Sequence, residues 1–339
     1  ARRLCFQRIG PIKAAWILTT CDMICASGAT PISEILGIYA ESPDVSTPAI
    51  PCQGLPYPSI VRKKRMRDAV TLQVIGLCRF SYPAIRGFQV DHDTIEERIA
   101  YLYSESRLEE RFRLFEAVAL PSLGAQTDSD FELIIVIGDQ LPAHHVKRLE
   151  ALISDIPQAR IHAEPPRPQR EVMKQILNAA RRDFSQPCLQ FRLDDDDAVA
   201  VDFVERLRKA AADCAVLTAQ HKSVAFDWTK GYIAEYGADG IAATEIFRPF
   251  DVAALGMWVK GDCHLTIMNF AHNKINRFMP AVSFDEPRMF VRGHNESNDS
   301  RQKAVKGVQV TPLDFEDAKR FHKRFAIDID HVQQIFKGS

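Results

Sequence analysis

No apolar run in the 339 residues comes near the ~18–20 residues that cross a bilayer, and the chain has no excess of charge. Forty-three Lys and Arg stand against forty-four Asp and Glu, for a formal net charge of -1. That balance argues against a protein held to nucleic acid or an anionic membrane by bulk charge. A phosphate-cradling glycine loop is also missing: Gly76 stands alone in the first well-patterned segment, without further glycines or a Lys. Ser81 and Ser122 lack nucleophile-elbow spacing, so acyl hydrolysis is not supported, and no internal repeat is visible. What remains is 46% hydrophobic and 26% charged, the composition of a soluble globular protein. The length allows one large domain or two smaller ones.

Among eight cysteines, Cys21 and Cys25 form a C-x3-C pair, but no second pair or nearby His follows at zinc-finger spacing. Cys78 and Cys188 sit in apolar runs, where a free Cys behaves as a small hydrophobe. Nothing else marks a secreted disulfide scaffold, so the reducing cytoplasm is the expected setting. Residues 1–65 read unlike the rest. They hold Pro11, Pro31, Pro43, Pro48, Pro51, Pro56 and Pro58 and the basic run Arg62 to Arg65, with no sustained period. Ala14 to Leu18 resembles a signal-peptide core, yet Lys13 and Asp22 confine it. These residues are expected to be a leader, a partner-specific extension or mistranslated upstream sequence, disorder included; the basic run alone would be a weak anionic-surface anchor. The core is expected from Met66.

From there strand and helix alternate. Leu72 to Leu77, Leu133 to Ile137, Arg160 to Ala163 and Cys188 to Leu193 read as strands. Between and after them, Leu108, Phe112, Phe115 and Ala119 (closed by Pro121), then Val146, Leu149 and Ile153, then Val172, Ile176 and Ala180, then Phe203, Leu207 and Ala211 repeat at helical spacing. This pattern predicts an α/β fold with a parallel or mixed sheet and helices on both faces, its strand C-terminal ends on one ligand-binding edge. The expected division is a nucleotide-binding half over 66–220 and a smaller α+β acceptor half over 221–339. The second half would open with a hairpin over Val224 to Tyr236 about Thr229-Lys230-Gly231 and close with amphipathic helices between Asp314 and Phe336.

The strongest chemical feature is Asp194-Asp195-Asp196-Asp197 directly after a buried strand. Adjacent carboxylates repel one another unless solvent or a cation compensates, and as hard oxygen donors they suit Mg²⁺ or Mn²⁺. A solvated acidic turn capping the helix near Asp202 accounts for one or two of these aspartates, but not for four. The run, followed by Asp202-Phe203 and a helix, resembles the D-x-D motif of GT-A fold glycosyltransferases. A closer resemblance is to a bacterial family of putative rhamnosyltransferases. It rests on Arg79-Phe80-Ser81, on Arg111 to Phe115, on Pro121-Ser122-Leu123 with Gln126-Thr127, on Arg192 to Asp197 and on a late Arg292-x-His294…Asn298-Asp299-Ser300 stretch, covering roughly residues 70–305.

The resemblance implies Asp194 on the donor's ribose or the metal shell, Asp196 on the metal, and Asp197 as a further or alternate ligand. His294 would complete the coordination, or stand as a polar loop histidine. Asp139 would contact the nucleobase, or serve as a turn residue after Gly138. Arg79 would reach the base or diphosphate, or form a surface ion pair. Arg292 would hold the diphosphate through its forked donors, and Asn298 and Asp299 would bond sugar hydroxyls or form an Asx-turn. An inverting transferase needs a base for the acceptor hydroxyl; among Glu235, Asp251, Asp262, Asp285 and Glu286 the choice here is Asp285, which precedes the metal-binding stretch. Trp228 and Tyr232 are either acceptor-stacking or packing residues, and His144-His145, adjacent and so not on one helix face, reads as a solvent-facing polar pair at a helix start.

The expected function is therefore a metal-dependent glycosyltransferase, using Mn²⁺ or Mg²⁺. It would move a sugar, rhamnose by resemblance, from a nucleotide-diphosphate donor to a glycan or lipid-linked acceptor. Nucleic acid is not an expected partner, and peripheral membrane association stays open. Two rival classes are a metal-dependent phosphoester hydrolase and a non-catalytic nucleotide-sugar-binding protein on the same fold.

Overall fold

A computed structural model describes residues 71–85, 92–295 and 308–338. The expectations for residues 1–65, with Cys5, Cys21, Cys25 and Cys52, and for Asn298 and Asp299 lie outside them.

Three runs buried on both faces, where continuous apolar sequence is required, and one partly exposed edge strand form the parallel heart of the fold: β1 (Gln73–Arg79), β2 (Glu132–Gly138) and β4 (Cys188–Asp194), with β3 (Ala159–Glu164) at the edge. The connection from β1 to β2 holds α1 (Ile95–Leu102), α2 (Glu105–Leu114), a π-helical turn (Phe115–Ala119) and α3 (Leu120–Gly124). α4 (Ala143–Ile153) links β2 to β3, and α5 (Gln169–Ala179) links β3 to β4. Pro121 does not end the first long helix as expected. The π-helical turn restarts the helix, so Pro121 falls in a first-turn position, where its missing N–H costs nothing.

The seven-stranded sheet runs β10-β6-β9-β4-β1-β2-β3, adding β6 (Ser223–Trp228), β9 (Leu255–Val259) and β10 (Ala281–Phe284). A second sheet, β12-β8-β7-β11-β5, is built from β5 (Ala198–Val199), β7 (Lys230–Gly237), β8 (Gly240–Phe247), β11 (Phe290–Gly293) and β12 (Thr311–Pro312). The helices α6 (Phe203–Asp213) and α7 (Ala215–Gln220) precede β6, and α8 (Phe315–Phe325) and α9 (Ile329–Lys337) follow β12 over the expected amphipathic tail.

The strand alternation of the main sheet feeds two apolar layers. Val74, Cys78, Leu133, Ile135 and Phe191 pack against α2, α4 and α6. Ile75, Leu77, Ile134 and Val136 pack against α5 and the 3-10 turns Ile267–Asn269 and His272–Arg277. The fold is thus mixed α/β with helices on both faces, in agreement with the GT-A-type expectation. Gly76 takes part without touching phosphate: a Cβ there would stand 2.3 Å from the Phe191 ring.

The expected boundary at residue 220 does not divide the sheets, because β6, β9 and β10 join the first sheet beside β4. Nor is 224–236 a hairpin. β6 pairs with β9 and β10 while β7 pairs with β8 and β11, so the chain changes sheets at Thr229. Every residue of β6 is buried, and a strand covered on both faces belongs inside a sheet rather than in an exposed ribbon.

Candidate active site

β1 and β4 run parallel, but strand order switches between them: β2 and β3 are added on one side of β1 and β4 on the other, so the crossovers leave a crevice at the C-terminal ends of β1 and β4. The register places Arg79, the last residue of β1, opposite Asp194, the last of β4. Arg79 Nη2 donates to Asp194 Oδ1 at 2.9 Å. The Gln169 amide, in the orientation that gives both its atoms partners, accepts from Arg79 Nη1 at 2.8 Å. A cleft of about 710 Å³ opens here, lined among others by Arg79, Gln169, Arg170, Arg192, Asp194 and His272.

Arg192 sits two residues before Asp194 and therefore on the same face of β4. Its Nη1 lies 3.5 Å from Met268 Sδ, its Nε has no hydrogen-bond partner, and among the described residues no carboxylate pairs with it. Burial draws its pKa down to about 10, which leaves it charged at neutral pH. For Asp194, burial opposes the charge, but Arg79 beside it, with Arg292 and Arg192, brings the carboxyl below its ordinary range.

The other three aspartates turn inward. Asp195, Asp196 and Asp197 are 3–5% exposed. Arg111, on α2, forms an ion pair with Asp195 and donates to Asp196 Oδ2 at 3.3 Å. Asn295 Nδ2 donates to the same Asp196 oxygen at 2.9 Å, and the Gly293 N–H donates to Asp197 Oδ1 at 3.0 Å. A Cβ on Gly293 would stand 2.3 Å from the Asp196 carbonyl oxygen, so only glycine lets β11 approach this closely. Arg292, one residue earlier, donates to Asp251 Oδ1 at 2.8 Å. Burial works against its charge, yet Asp251, Asp197, Asp194 and Asp196 hold it ionised. Burial first, and the Asp196 charge second, push the Asp197 carboxyl well above the carboxylate range. Asp197 is thus held toward its protonated form, while Asp194 beside Arg79 stays ionised.

His272 completes the cleft. Its Nδ1 lies 2.6 Å from the Phe250 carbonyl oxygen. A carbonyl can only accept, so Nδ1 carries the proton and Nε2 is left as an acceptor. Burial, helped by the Arg192 charge, lowers its pKa and keeps the ring neutral.

Of the expected site residues, Arg79 and Asp194 line the cleft, and Asp196, Asp197 and Arg292 stand behind it. The others do not gather there. His294 Nδ1 faces Glu235 Oε1 at 2.9 Å instead of the aspartates. Asp139 follows β2 at the same sheet edge but is not among the residues lining the cleft. Asp285 follows β10, three strands from β4 and so ~14 Å across the sheet; it is exposed and also lies outside the cleft lining. Trp228 is 3% exposed and stacked on Phe284 at 5.0 Å, and Tyr232 packs edge-on to Phe321 and Phe325, so both are packing residues. The sequence reading assigned no role to Arg192, His272 or Arg111. Arg111 did carry a signal: it shares the helix face of Leu108 and Phe112, and a buried Arg needs a buried carboxylate.

The four expected metal ligands do not converge, for among the described residues no three ligand atoms come together at Asp194, Asp196, Asp197 and His294. Each of the three aspartates nevertheless keeps a second carboxylate oxygen outside the pairs above. Hard carboxylate oxygens at the cleft fit an ion that takes one or two carboxylates and completes its shell with phosphate and water, as Mg²⁺ does.

Residues 73–307, more than half of the chain, match the family model described as putative rhamnosyl transferase. The chain belongs to that family. The rhamnosyl transferase family is a glycosyltransferase family by that description. No curated protein matches the chain. Among solved structures, Staphylococcus aureus TarS 1–349 is 10% identical with a TM-score of 0.33, over 66% of this chain and 60% of that one. The chain thus spans less than two-thirds of that fragment. TarS 1–349 in complex with UDP-GlcNAc is 12% identical, TM-score 0.31, over 78% and 70%. A nucleotide-diphospho-sugar transferase, so described with the qualifier putative, from Desulfovibrio desulfuricans G20 is 11% identical, TM-score 0.33, over 78% and 94%. Likenesses at this level carry no argument about substrate.

Proposed function

We propose that this member of the rhamnosyl transferase family transfers a sugar from a nucleoside-diphosphate donor seated in the cleft between the ends of β1 and β4. Rhamnose is the first sugar to test, and a glycan or lipid-linked hydroxyl is the acceptor class. The observation that carries the reading is the convergence of Arg79, Arg170 and Arg192 with a single cleft-lining Asp in about 710 Å³. Arginine forks match phosphate oxygens in charge and shape, and Arg192, without a carboxylate of its own, is the cation best placed to meet a diphosphate. Asp194, anchored by Arg79, offers its second oxygen to a ribose or sugar hydroxyl. Mg²⁺ or Mn²⁺, bound through the cleft-facing Asp194, would add neutralising charge for the departing diphosphate.

For the acceptor, the group at hand is His272 rather than Asp285. It lines the cleft, is neutral, and presents an unprotonated Nε2 fixed by the Phe250 carbonyl. A general base near neutrality needs that state. The site otherwise acts by holding donor and acceptor in place and by meeting the leaving charge with preset cations.

Titration calorimetry with deoxythymidine and uridine diphosphates, with and without Mn²⁺, tests the reading. Wild type should bind one of them, more tightly with the ion, and Arg192→Ala should weaken that binding at least tenfold while remaining folded. If a folded wild type binds neither diphosphate under either condition, the donor assignment fails.

A further inference from the structure

Away from the cleft, the first turns of α2 and α4 bring three metal-ligating side chains together. Glu105 is the first residue of α2, and His144 and His145 are the second and third of α4. His145 is 3% exposed and stacked against Phe112, with ring centroids 5.5 Å apart. The exposed His144 ring lies 3.9 Å from it, centroid to centroid. One nitrogen of each imidazole and one oxygen of Glu105 all lie within 4.8 Å of one another. Glu105 Oε2 stands 3.8 Å from His145 Nε2, beyond hydrogen-bond reach, and among the described residues no hydrogen bond joins any two of the three. Their helical partner Arg148 does not fill the gap: it pairs with Glu109 at 2.5 Å and lies over the Phe112 ring.

We propose that Glu105, His144 and His145 form a site for a borderline divalent ion such as Zn²⁺, a clasp between α2 and α4 distinct from the acidic turn. Donors ~2.0–2.2 Å from a tetrahedral ion stand ~3–3.5 Å from one another, so rotations of the two exposed side chains toward the held His145 close the triangle. Two imidazoles and one carboxylate select Zn²⁺ or Ni²⁺, whereas the all-oxygen aspartates suit Mg²⁺ and Mn²⁺. The N–H groups of two helix starts oppose a cation and weaken its binding. The consequence reaches the acidic turn, because α2 also carries Arg111, six residues and ~9 Å along the axis from Glu105. The inference stands independently of the donor reading.

The test is zinc titration calorimetry on the full chain with excess Mg²⁺ present to fill hard-oxygen sites. Since His145 is buried and its removal endangers folding, the variants are His144→Ala and Glu105→Gln, both at exposed positions. Wild type should bind zinc at micromolar concentration and gain a few degrees of thermal midpoint. Each variant should lose one equivalent, or weaken it at least tenfold, whatever zinc the thiols retain. An isotherm unchanged from wild type in either variant, or no zinc bound by wild type, overturns the clasp.

Discussion

The four aspartates look alike in sequence and are treated differently by the fold. Asp194 ends a strand of the seven-stranded sheet with a quarter of its side chain exposed, facing an open cleft and one partly exposed Arg. Asp195 and Asp196 are buried and closed over by Arg111 from α2, while β11 of the second sheet supplies the Gly293 N–H to Asp197 and the residues just after it supply Asn295 to Asp196. One carboxylate is therefore presented to a ligand, and three are embedded in the joint between two sheets and a helix. A run of identical residues can thus divide its work between binding and architecture, and substitutions along it should divide in the same way.

The buried side should break first. Arg111→Met removes the charge that pairs Asp195 and Asp196, leaving two carboxylates uncompensated in the interior. Losing one partner of a buried ion pair costs about 3–5 kcal/mol, so urea unfolding should show a loss of that size or no folded protein at all. A loss under about 1 kcal/mol would mean that water already screens the cluster.

Asp227 sharpens the comparison, being a fully buried carboxylate held by a backbone N–H and a hydroxyl. It accepts from the Phe250 N–H at 3.0 Å and the Ser283 hydroxyl at 3.2 Å, but burial prevails and raises its pKa to about 6. The folded value lies above the unfolded one, so the group costs nothing below about pH 4, where both states hold the proton. The cost grows from pH 4 to 6 and remains above that, reaching on the order of 3 kcal/mol. Asp227→Asn keeps one acceptor for Phe250 and gains a donor for Ser283. The variant should therefore be more stable than wild type at pH 7.5 and lose this falling limb, as read by urea unfolding across pH 4–8. An identical pH profile would place the proton elsewhere.

The same contrast explains what the sequence disclosed. Leu133 to Ile137 and Cys188 to Leu193 are apolar throughout because both faces are covered, so those strands and the edge they share were legible. Thr229-Lys230-Gly231 imitates a hairpin turn, but the burial of Asp227 and Trp228 that places β6 inside a sheet depends on strands β9 and β10, some 30 to 55 residues on. The acidic run announced the site by itself. Its arrangement did not, because Arg111, Arg292 and Gly293 reach it from distant segments, and His272 enters the cleft on a 3-10 turn with no periodic pattern to mark it.

On the open side, substitution should spare stability and remove function. His272→Gln keeps a side-chain N–H for the Phe250 carbonyl while deleting the basic nitrogen. General-base removal costs roughly 10²–10⁴-fold, so kcat should fall at least about a hundredfold with KM nearly unchanged and the unfolding midpoint close to wild type. Burial and the Arg192 charge lower the pKa of His272, so the acidic limb of the wild-type kcat profile should lie below the ordinary imidazole range and vanish in the variant. A packing role would move the midpoint and leave that limb in place. Loss of the limb at unchanged stability is thus the result that separates a proton acceptor in the cleft from one more buried polar side chain.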